Sequence, residues 1–204
     1  MHHSNLRSEL RSRRRSLSNN QQLDAANQIA DAFFQLNLHA DKTQIGLYWP
    51  NDGEIDPRVL MERLIDTDKA CFLPILDPEK ENELCFGRYS SDSPMVKNRY
   101  GIEEPKTTEI LDAQALDLIL VPLVGFDQHG NRLGMGAGYY DRTLARSNTT
   151  AEKDTSTLIL IGLAHHCQQV ERIDAQPWDI PMHGILTDSE FIQIKAHLPR
   201  GHLT

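Results

Sequence analysis

The chain has 204 residues, of which 39% are hydrophobic and 25% are charged, and its formal net charge at pH 7 is −8. This composition suits one packed domain and excludes a disordered or fibrous chain. The acidic balance argues against a surface built to coat nucleic acid or anionic lipid. No apolar run reaches the roughly 18–20 residues of a membrane span. Because the three cysteines cannot all pair and no secretory signal is recognised, we expect a cytoplasmic protein.

The first twenty residues are basic although the chain as a whole is acidic. Arg7, Arg11 and residues 13–15, all arginine, are opposed there by Glu9 alone. Residues 4–18 predict a helix or arm with little core of its own. Such charge is typical of a solvated helix face. The alternative is that one or two of these arginines bind an anionic ligand held by the rest of the fold.

Helical and strand patterns alternate along the rest of the chain. Ser18 and Gln21 have the spacing of a capping box, and the apolar residues that follow recur with helical spacing up to Leu38. Alternating apolar residues at 45–49 predict a strand that ends in a turn at 50–53. Pro57 stands where a third helix can begin.

Later apolar runs complete the prediction of the fold. Strands are predicted at 71–75, 84–86, 118–121, 158–161 and 185–186, mostly loop at 90–109, a surface loop at 147–157, and a final helix from Ser189 to His197. Strands separated by helices indicate an α/β fold, a three-layer sandwich with a mainly parallel central sheet and helices on both faces. Ligands of such sheets bind at the carboxyl ends of the strands. The loops at 50–56 and 126–141 are therefore the candidate binding loops.

The second of these loops contains alternating glycines, Gly134, Gly136 and Gly138, and leads into a segment with helical spacing at 139–146. Backbone N–H groups of such a loop, together with a helix N-terminus, favour a bound phosphate. The alternative is that the glycines are present for steric reasons alone, because the chain makes a tight turn there. No Gly-Lys-Ser/Thr follows, and Tyr139 stands where a dinucleotide fingerprint needs a small residue.

Asp141 lies one turn beyond the glycines. A carboxylate there would repel a phosphate unless Mg²⁺ joins the two, and Mg²⁺ typically binds one or two protein carboxylates together with phosphate oxygens. The alternative is a carboxylate that only complements the positive end of the helix dipole.

The segment RLGMGAGYYDR at 132–142 resembles the most specific motif of the 5-formyltetrahydrofolate cyclo-ligase family. The resemblance continues, in the family's order, through Leu6-Arg7, WPNDGEID at 49–56, YGIEEP at 100–105, DLILVPLVGFD at 117–127 and PWDIPM at 177–182. It implies a single cyclo-ligase domain over residues 1–204, with the basic N-terminal helix packing near the nucleotide site.

The resemblance also implies an activity: ATP- and Mg²⁺-dependent closure of 5-formyltetrahydrofolate to 5,10-methenyltetrahydrofolate, with release of ADP and phosphate. ATP would phosphorylate the formyl oxygen, because that oxygen is otherwise a poor leaving group, and a neighbouring nitrogen would then attack the carbon. No covalent enzyme nucleophile is needed. We expect a monomer whose partners are 5-formyltetrahydrofolate and ATP, with no nucleic acid or membrane.

Site residues follow from the same resemblance. Those implied for ATP lie on the first helix and the glycine loop: His3, Ser4, Asn5, Leu6, Arg7, Arg132, Leu133, Gly134, Met135, Gly136, Ala137, Gly138, Tyr139 and Tyr140. Those implied for the folate lie on both candidate loops: Trp49, Glu54, Met135, Gly136, Ala137, Gly138 and Tyr139. Asp141 and Asp179 are the implied Mg²⁺ ligands.

Two positions depart from the family pattern. His3 stands where members often carry a lysine, and Met135 stands where some carry an arginine. A neutral histidine is a weaker phosphate partner than a lysine. The missing cation at 135 would have to be replaced, with Arg132, Arg142 and Arg99 as candidates.

Two other functions remain as alternatives. A dinucleotide-dependent oxidoreductase would need an acidic residue about twenty positions after the glycine loop, at a strand end; Asp154 is nearest but lies in a polar stretch. An RNA-binding module would use the basic first helix, but the net charge of −8 argues against it.

The sequence His165-His166-Cys167 suggests a metal site, but neighbouring side chains on a strand point to opposite faces and would not meet at one ion. One of the histidines can still face the ligand cleft.

Overall fold

The computed structural model describes residues 3–145, 158–176 and 178–194, apart from the side chain of residue 3. The predicted loop at 147–157, the last position of the predicted helix at 139–146, and residues 195–197 lie outside these ranges. Within them, no helix combines the length and the apolar character needed to cross a membrane.

Four helices are described: α1 (His3–Arg15), α2 (Asn19–Gln35), α3 (Arg58–Asp66) and α4 (Tyr139–Ala145). The strands are β1 (Gln44–Gly46), β2 (Ala70–Leu76), β3 (Leu84–Tyr89), β4 (Met95–Lys97), β5 (Glu103–Pro105), β6 (Ile110–Leu111), β7 (Leu118–Pro122), β8 (Gly125–Phe126), β9 (Arg132–Leu133), β10 (Ile159–Ala164), β11 (Gly184–Thr187) and β12 (Phe191–Gln193). Short 3₁₀ turns occur at Ala113–Ala115 and His166–Gln168.

Eight of the strands form the central sheet, in the order β12-β11-β10-β7-β1-β2-β3-β6. The five from β11 to β2 run parallel to their neighbours, with Ile45 of β1 opposite Leu118 of β7 on one side and Cys71 of β2 on the other. The strands β12, β3 and β6 are antiparallel additions at the two edges. The predicted mainly parallel sheet is confirmed.

Helices cover both faces of this sheet, which confirms the three-layer sandwich. On one face, Phe33 of α2 and Leu60 of α3 pack against sheet residues that include Leu118. On the other, Leu144 of α4 packs in a second cluster with Ile119 and with the 3₁₀ turn at 113–115. Side chains alternate along a strand, so neighbouring residues of β7 enter opposite layers.

The predicted capping box begins α2. The Ser18 hydroxyl accepts from the Gln21 backbone N–H, and the Gln21 side chain accepts from the Ser18 backbone N–H. These two bonds satisfy backbone donors that would otherwise lack partners at the start of a helix. The helix then buries one stripe, which includes Ile29 and Phe33.

The first helix has more core than its sequence predicts. Leu10 and Arg14 are fully buried, and Leu10 packs with Val124, Leu133 and Ile173. A Cβ at residue 125 would lie 2.4 Å from the Leu10 Cδ1 atom, so this close approach requires the glycine found there. The prediction of little core was wrong because the burial of α1 depends on residues more than a hundred positions away.

One further local prediction needs correction, and another gains a detail. Residues 90–109, predicted as mostly loop, also contain a short hairpin, in which β4 and β5 pair in antiparallel register. The stretch predicted to form a helix from Ser189 contains β12, which pairs with β11 at the sheet edge. The open backbone groups of the edge strand bind this short segment, and tertiary pairing overrides its helical spacing.

Candidate functional site

A cavity of about 880 Å³ opens beside the carboxyl ends of three parallel strands. Its wall includes Trp49 just after β1, Leu76 at the end of β2, and Pro122 at the end of β7. This is the place where α/β sheets bind their ligands. Both candidate loops contribute to the wall.

The loop after β1 is a tight turn that holds one acidic side chain in the cavity wall. Asp52 and Gly53 both have positive φ values, 56° and 74°. Two hydrogen bonds close the turn: the Glu54 backbone N–H donates to the Asn51 carbonyl at 3.0 Å, and the Asn51 backbone N–H donates to the Glu54 carboxylate at 3.1 Å. Only 11% of the Glu54 side chain is exposed, although it lines the cavity.

Burial dominates the electrostatics of Glu54. Loss of solvation raises the pKa of its carboxyl from 4.5 to about 7, while Arg14 and the N–H of Asn51 act in the opposite direction. A carboxyl group with a pKa near neutrality in a cavity wall is a common property of functional sites.

The neighbouring Asp52 has the opposite shift. Burial alone would raise its pKa, but hydrogen bonds from Arg11, Arg15 and Arg14 outweigh that effect and lower the pKa to about 2. All three arginines lie on α1, which is therefore fixed to this loop.

The glycine loop forms another part of the wall and leads directly into α4. Gly136 and Gly138 have φ values of 98° and 71°, a region that side chains disfavour. The Nε of Arg7 donates to the carbonyl of Gly134 at 2.9 Å, and a Cβ at Gly136 would lie 3.6 Å from the Arg7 guanidinium. Because α4 begins at Tyr139, the loop ends at a helix N-terminus.

A partly buried ion pair lies at the end of the glycine loop. The guanidinium of Arg132 pairs with Asp141 and also donates to the carbonyl of Ile180. Burial lowers the pKa of Arg132, and the charges of Asp141 and Asp179 oppose this. The Asp179 carboxylate also accepts from the Gln176 backbone N–H at 2.8 Å.

The acidic groups fit a cation that also binds phosphate. In the part of the chain that the structure describes, no three His, Cys, Asp or Glu side chains are arranged to hold a metal ion by themselves. Asp141 and Asp179 nevertheless line one cavity. Two carboxylates match the donor set of Mg²⁺, which takes its other ligands from water and phosphate.

The cavity brings together most of the residues predicted from the sequence. Its wall contains Arg7, residues 132–141, Trp49, Glu54 and Asp179. Ser4 and Asn5 are exposed on α1, Leu6 packs beside the cluster around Leu10, and none of these three is part of the wall. The side chain of His3 lies outside the described residues.

Sequence reasoning missed several residues at the mouth of the cavity. Tyr100, at the tip of the β4–β5 hairpin, lies with its hydroxyl 2.9 Å from that of Tyr139, and Arg99 donates to the same Tyr139 oxygen at 2.6 Å. The YGIEEP motif marked this segment but gave no role to its tyrosine. Trp178, which is 65% exposed, is a further part of the wall.

The basic groups near Met135 include one that the sequence did not suggest. Of the three candidates, Arg132 and Arg142 line the cavity, whereas Arg99 does not line it but contacts Tyr139 and Tyr100, which do. Arg14 has its Nη2 atom 4.0 Å from the Met135 sulfur.

The two neighbouring histidines differ in exposure: His165 is buried and His166 is exposed, and neither lines the cavity.

A mainly parallel sheet with a cavity at its carboxyl edge, bounded by a glycine loop and a helix N-terminus, is the arrangement typical of α/β enzymes. The sequence model of the 5-formyltetrahydrofolate cyclo-ligase family matches residues 1–188. The chain belongs to that family.

Individual proteins agree with this assignment. The 5-formyltetrahydrofolate cyclo-ligase of Haemophilus influenzae is 39% identical over 183 residues, which cover 89% of this chain and 95% of the relative. That of Escherichia coli K12 is 37% identical over 183 residues, with 89% and 97% covered. The solution structure of Aquifex aeolicus 5,10-methenyltetrahydrofolate synthetase superimposes with a TM-score of 0.82 at 28% identity and covers 99% of this chain and 97% of that one.

Proposed function

We propose that this enzyme closes the ring of 5-formyltetrahydrofolate to give 5,10-methenyltetrahydrofolate, using ATP and Mg²⁺ and releasing ADP and phosphate. The observation that carries the proposal is that two chain segments line the same cavity. One is the segment after β1, with Trp49 and Glu54, and the other is the glycine loop, followed by Asp141. The names of the relatives support this reaction: 5-formyltetrahydrofolate cyclo-ligase names the substrate, and 5,10-methenyltetrahydrofolate synthetase names the product.

ATP is assigned to the glycine loop. Two left-handed glycines precede the start of α4, and glycine loops and helix N-termini of this kind favour a bound phosphate. Arg7 is already held against the loop by its bond to Gly134. We assign His3 and residues 4–6 to the same ligand only through the resemblance, since the side chains of residues 4–6 are not part of the cavity wall and that of His3 lies outside the described residues.

The folate is assigned to the space between the two loops. Trp49 and Tyr139 offer flat apolar surfaces to aromatic rings, and Glu54 offers a carboxylate to ring N–H donors. Residues 135–138 would contact both ligands, because they lie between the nucleotide and the folate in this arrangement. This arrangement would bring the formyl oxygen of the folate next to the terminal phosphate of ATP.

Mg²⁺ is assigned to Asp141 and Asp179. When bound, the ion would neutralise charge on the phosphate oxygens. Arg132 holds Asp141 at the end of the glycine loop, and the backbone N–H of Gln176 holds the Asp179 carboxylate.

The chemistry then needs positioning rather than a covalent enzyme group. The formyl oxygen attacks the terminal phosphorus, the bond to ADP breaks, and a phosphorylated formyl intermediate forms. The neighbouring arylamine nitrogen attacks the activated carbon, the C–O bond breaks with departure of phosphate, and the nitrogen loses its proton. Arg7 and the loop amides would stabilise the charge on the transferring group.

We further propose that the chain acts in the cytoplasm as a monomeric single domain. Cys71, Cys85 and Cys167 are all unpaired, which suits a reducing compartment. A sedimentation measurement of the purified protein tests the monomer, and a dimer mass would contradict it.

A direct assay tests the activity. Purified protein with 5-formyltetrahydrofolate and Mg²⁺ should produce the near-ultraviolet absorbance of the methenyl product only when ATP is added, with equal amounts of ADP formed. ATP that stays intact while the folate is present would contradict the proposal.

Glu54→Gln should weaken folate binding about tenfold or more, since a hydrogen bond to a charged group is lost, and should leave the Michaelis constant for ATP little changed. Because the charged form of Glu54 binds and its pKa is about 7, folate affinity of the unaltered enzyme should be constant above that pH and decline below it. The variant should lack this decline. Fluorescence titrations at several pH values measure both effects.

Asp56→Asn is the matched control, because Asp56 lies on the same loop, pairs with Arg58 and does not line the cavity. It should keep the pH dependence. A Glu54→Gln variant that loses ATP affinity alone would reverse the assignment of the two loops.

A further inference from the structure

Arg14 is a buried cation that the roles assigned above do not use. Its side chain is 0% exposed, and its guanidinium keeps its charge in proteins. A buried charge is tolerated only when other groups pair with it and accept its hydrogen bonds. The contacts of Arg14 therefore show what this charge serves.

Each nitrogen of the guanidinium has a partner. Nε donates to the Asp52 carbonyl at 2.8 Å, Nη1 to the Leu123 carbonyl at 3.0 Å, and Nη2 to the Asp52 carboxylate at 2.9 Å. These partners lie on the loop after β1 and on the segment after β7. The group is thus fixed in position and orientation.

Nη2 also lies 3.7 Å from a carboxylate oxygen of Glu54. Glu54 lines the cavity and Arg14 does not, so the guanidinium stands behind the carboxylate, on the protein side. The charge of Asp52 cannot neutralise Arg14 alone, because Arg11 and Arg15 pair with the same carboxylate.

We infer that Arg14 is a positioning residue of this enzyme: fixed by Asp52 and Leu123, it supplies the buried positive charge that holds the Glu54 carboxylate toward the cavity. This role rests on the proposed function for its use in folate binding. Arg14 itself touches neither ligand.

The surroundings of Glu54 determine the sign of the effect. The groups that face it are Arg14 and Arg11 from α1, Asp52 from its own loop, and the hydroxyls of Tyr48 and Tyr140. Burial raises the pKa of Glu54 to about 7, and among the charges Arg14 has the largest opposing effect. Without Arg14, Glu54 would be protonated at physiological pH and could no longer accept two hydrogen bonds as an anion.

The test is a carbon-detected NMR titration of protein labelled with ¹³C at the glutamate carboxyl carbons, without ligand. The signal that is missing in Glu54→Gln identifies Glu54, and its midpoint should lie near pH 7. In Arg14→Met that midpoint should rise by roughly one to three pH units, the range for removal of an opposite charge at this separation. An unchanged midpoint in a folded Arg14→Met variant would overturn the inference.

Arg15→Met is the matched control. Arg15 lies on the same helix and pairs with the same Asp52, but it is half exposed and has no contact with Glu54. Its loss should leave the Glu54 midpoint where it is. A shift equal to that of Arg14→Met would mean that any loosening of α1 has the same effect, and the specific role of Arg14 would be refuted.

Asp52→Asn gives a second test if Arg14→Met does not fold. Removing the negative charge of Asp52, which raises the pKa of Glu54, should move the midpoint downward, opposite to Arg14→Met. A midpoint that stays or rises contradicts the charge arrangement.

Folate titrations on the same variants separate the two proposals. The pH at which folate affinity is half lost should move together with the Glu54 midpoint in each variant. If the midpoint moves as expected but 5-formyltetrahydrofolate binds to none of the proteins, the proposed function fails and the Arg14–Glu54 pairing stands. If folate binds with its pH dependence and the midpoint ignores Arg14, only the inference fails.

Discussion

Asp141→Asn should reduce Mg²⁺-dependent formation of the methenyl product by roughly 100-fold or more, because changes to groups that merely support metal ligands already cost about 10–100-fold. The amide keeps an oxygen that can accept from Arg132 but loses the charge that attracts the cation. The fold should remain, since Asp141 is partly exposed at the first turn of α4. Steady-state assays over a range of Mg²⁺ concentrations, together with thermal melting, measure the two expectations.

Asp174→Asn is a suitable control, because Asp174 is exposed and does not line the cavity. It should retain full activity at every Mg²⁺ concentration. Unchanged turnover in Asp141→Asn would remove this residue from the proposed metal site and leave its bond to Arg132 as its whole role.

Arg7→Gln should raise the Michaelis constant for ATP by roughly 10- to 100-fold, as expected when one hydrogen bond to a charged group is lost, and should change that for the folate much less. The side chain reaches the glycine loop, where it bonds Gly134 and lies over Gly136. Glutamine is too short to keep both contacts and carries no charge. Initial rates with each substrate varied in turn measure this difference.

Arg13→Gln controls for loss of charge on the same helix. Arg13 is exposed, pairs with Glu9 and is not part of the cavity wall. Its substitution should leave both Michaelis constants unchanged. Equal effects of the two substitutions would mean that the helix acts through its general charge and not through the contact at Gly134.

Local sequence patterns predicted the parts of the fold that depend on neighbouring residues. The continuous apolar run of β7 indicated a strand covered on both faces, and the Ser18–Gln21 pair marked the start of α2. Burial of Leu10 was not predictable in this way, since it depends on the absence of a side chain at Gly125. Pairing of β12 with β11 likewise depends on an edge that only the assembled sheet provides.

Some parts of the candidate site were likewise predictable from the sequence, and others were not. Motif resemblance indicated Trp49, Glu54 and the glycine loop, because their residue types and order are specific, and the structure brings them into one cavity. The role inferred for Arg14 has no such signal. In the sequence it is one of five arginines in a basic segment, and only the geometry distinguishes it from the exposed Arg15 beside it.

The bonds of α1 have a consequence for how the protein acquires its binding site. Arg7 meets Gly134 and Arg13 meets Cys167 across 127 and 154 positions of the chain. Contacts between such distant residues form late, since a long loop must close first. During synthesis these two contacts must therefore wait for most of the polypeptide, so the wall that Arg7 forms with the glycine loop should be completed late, after the helix has met the loop at Asp52.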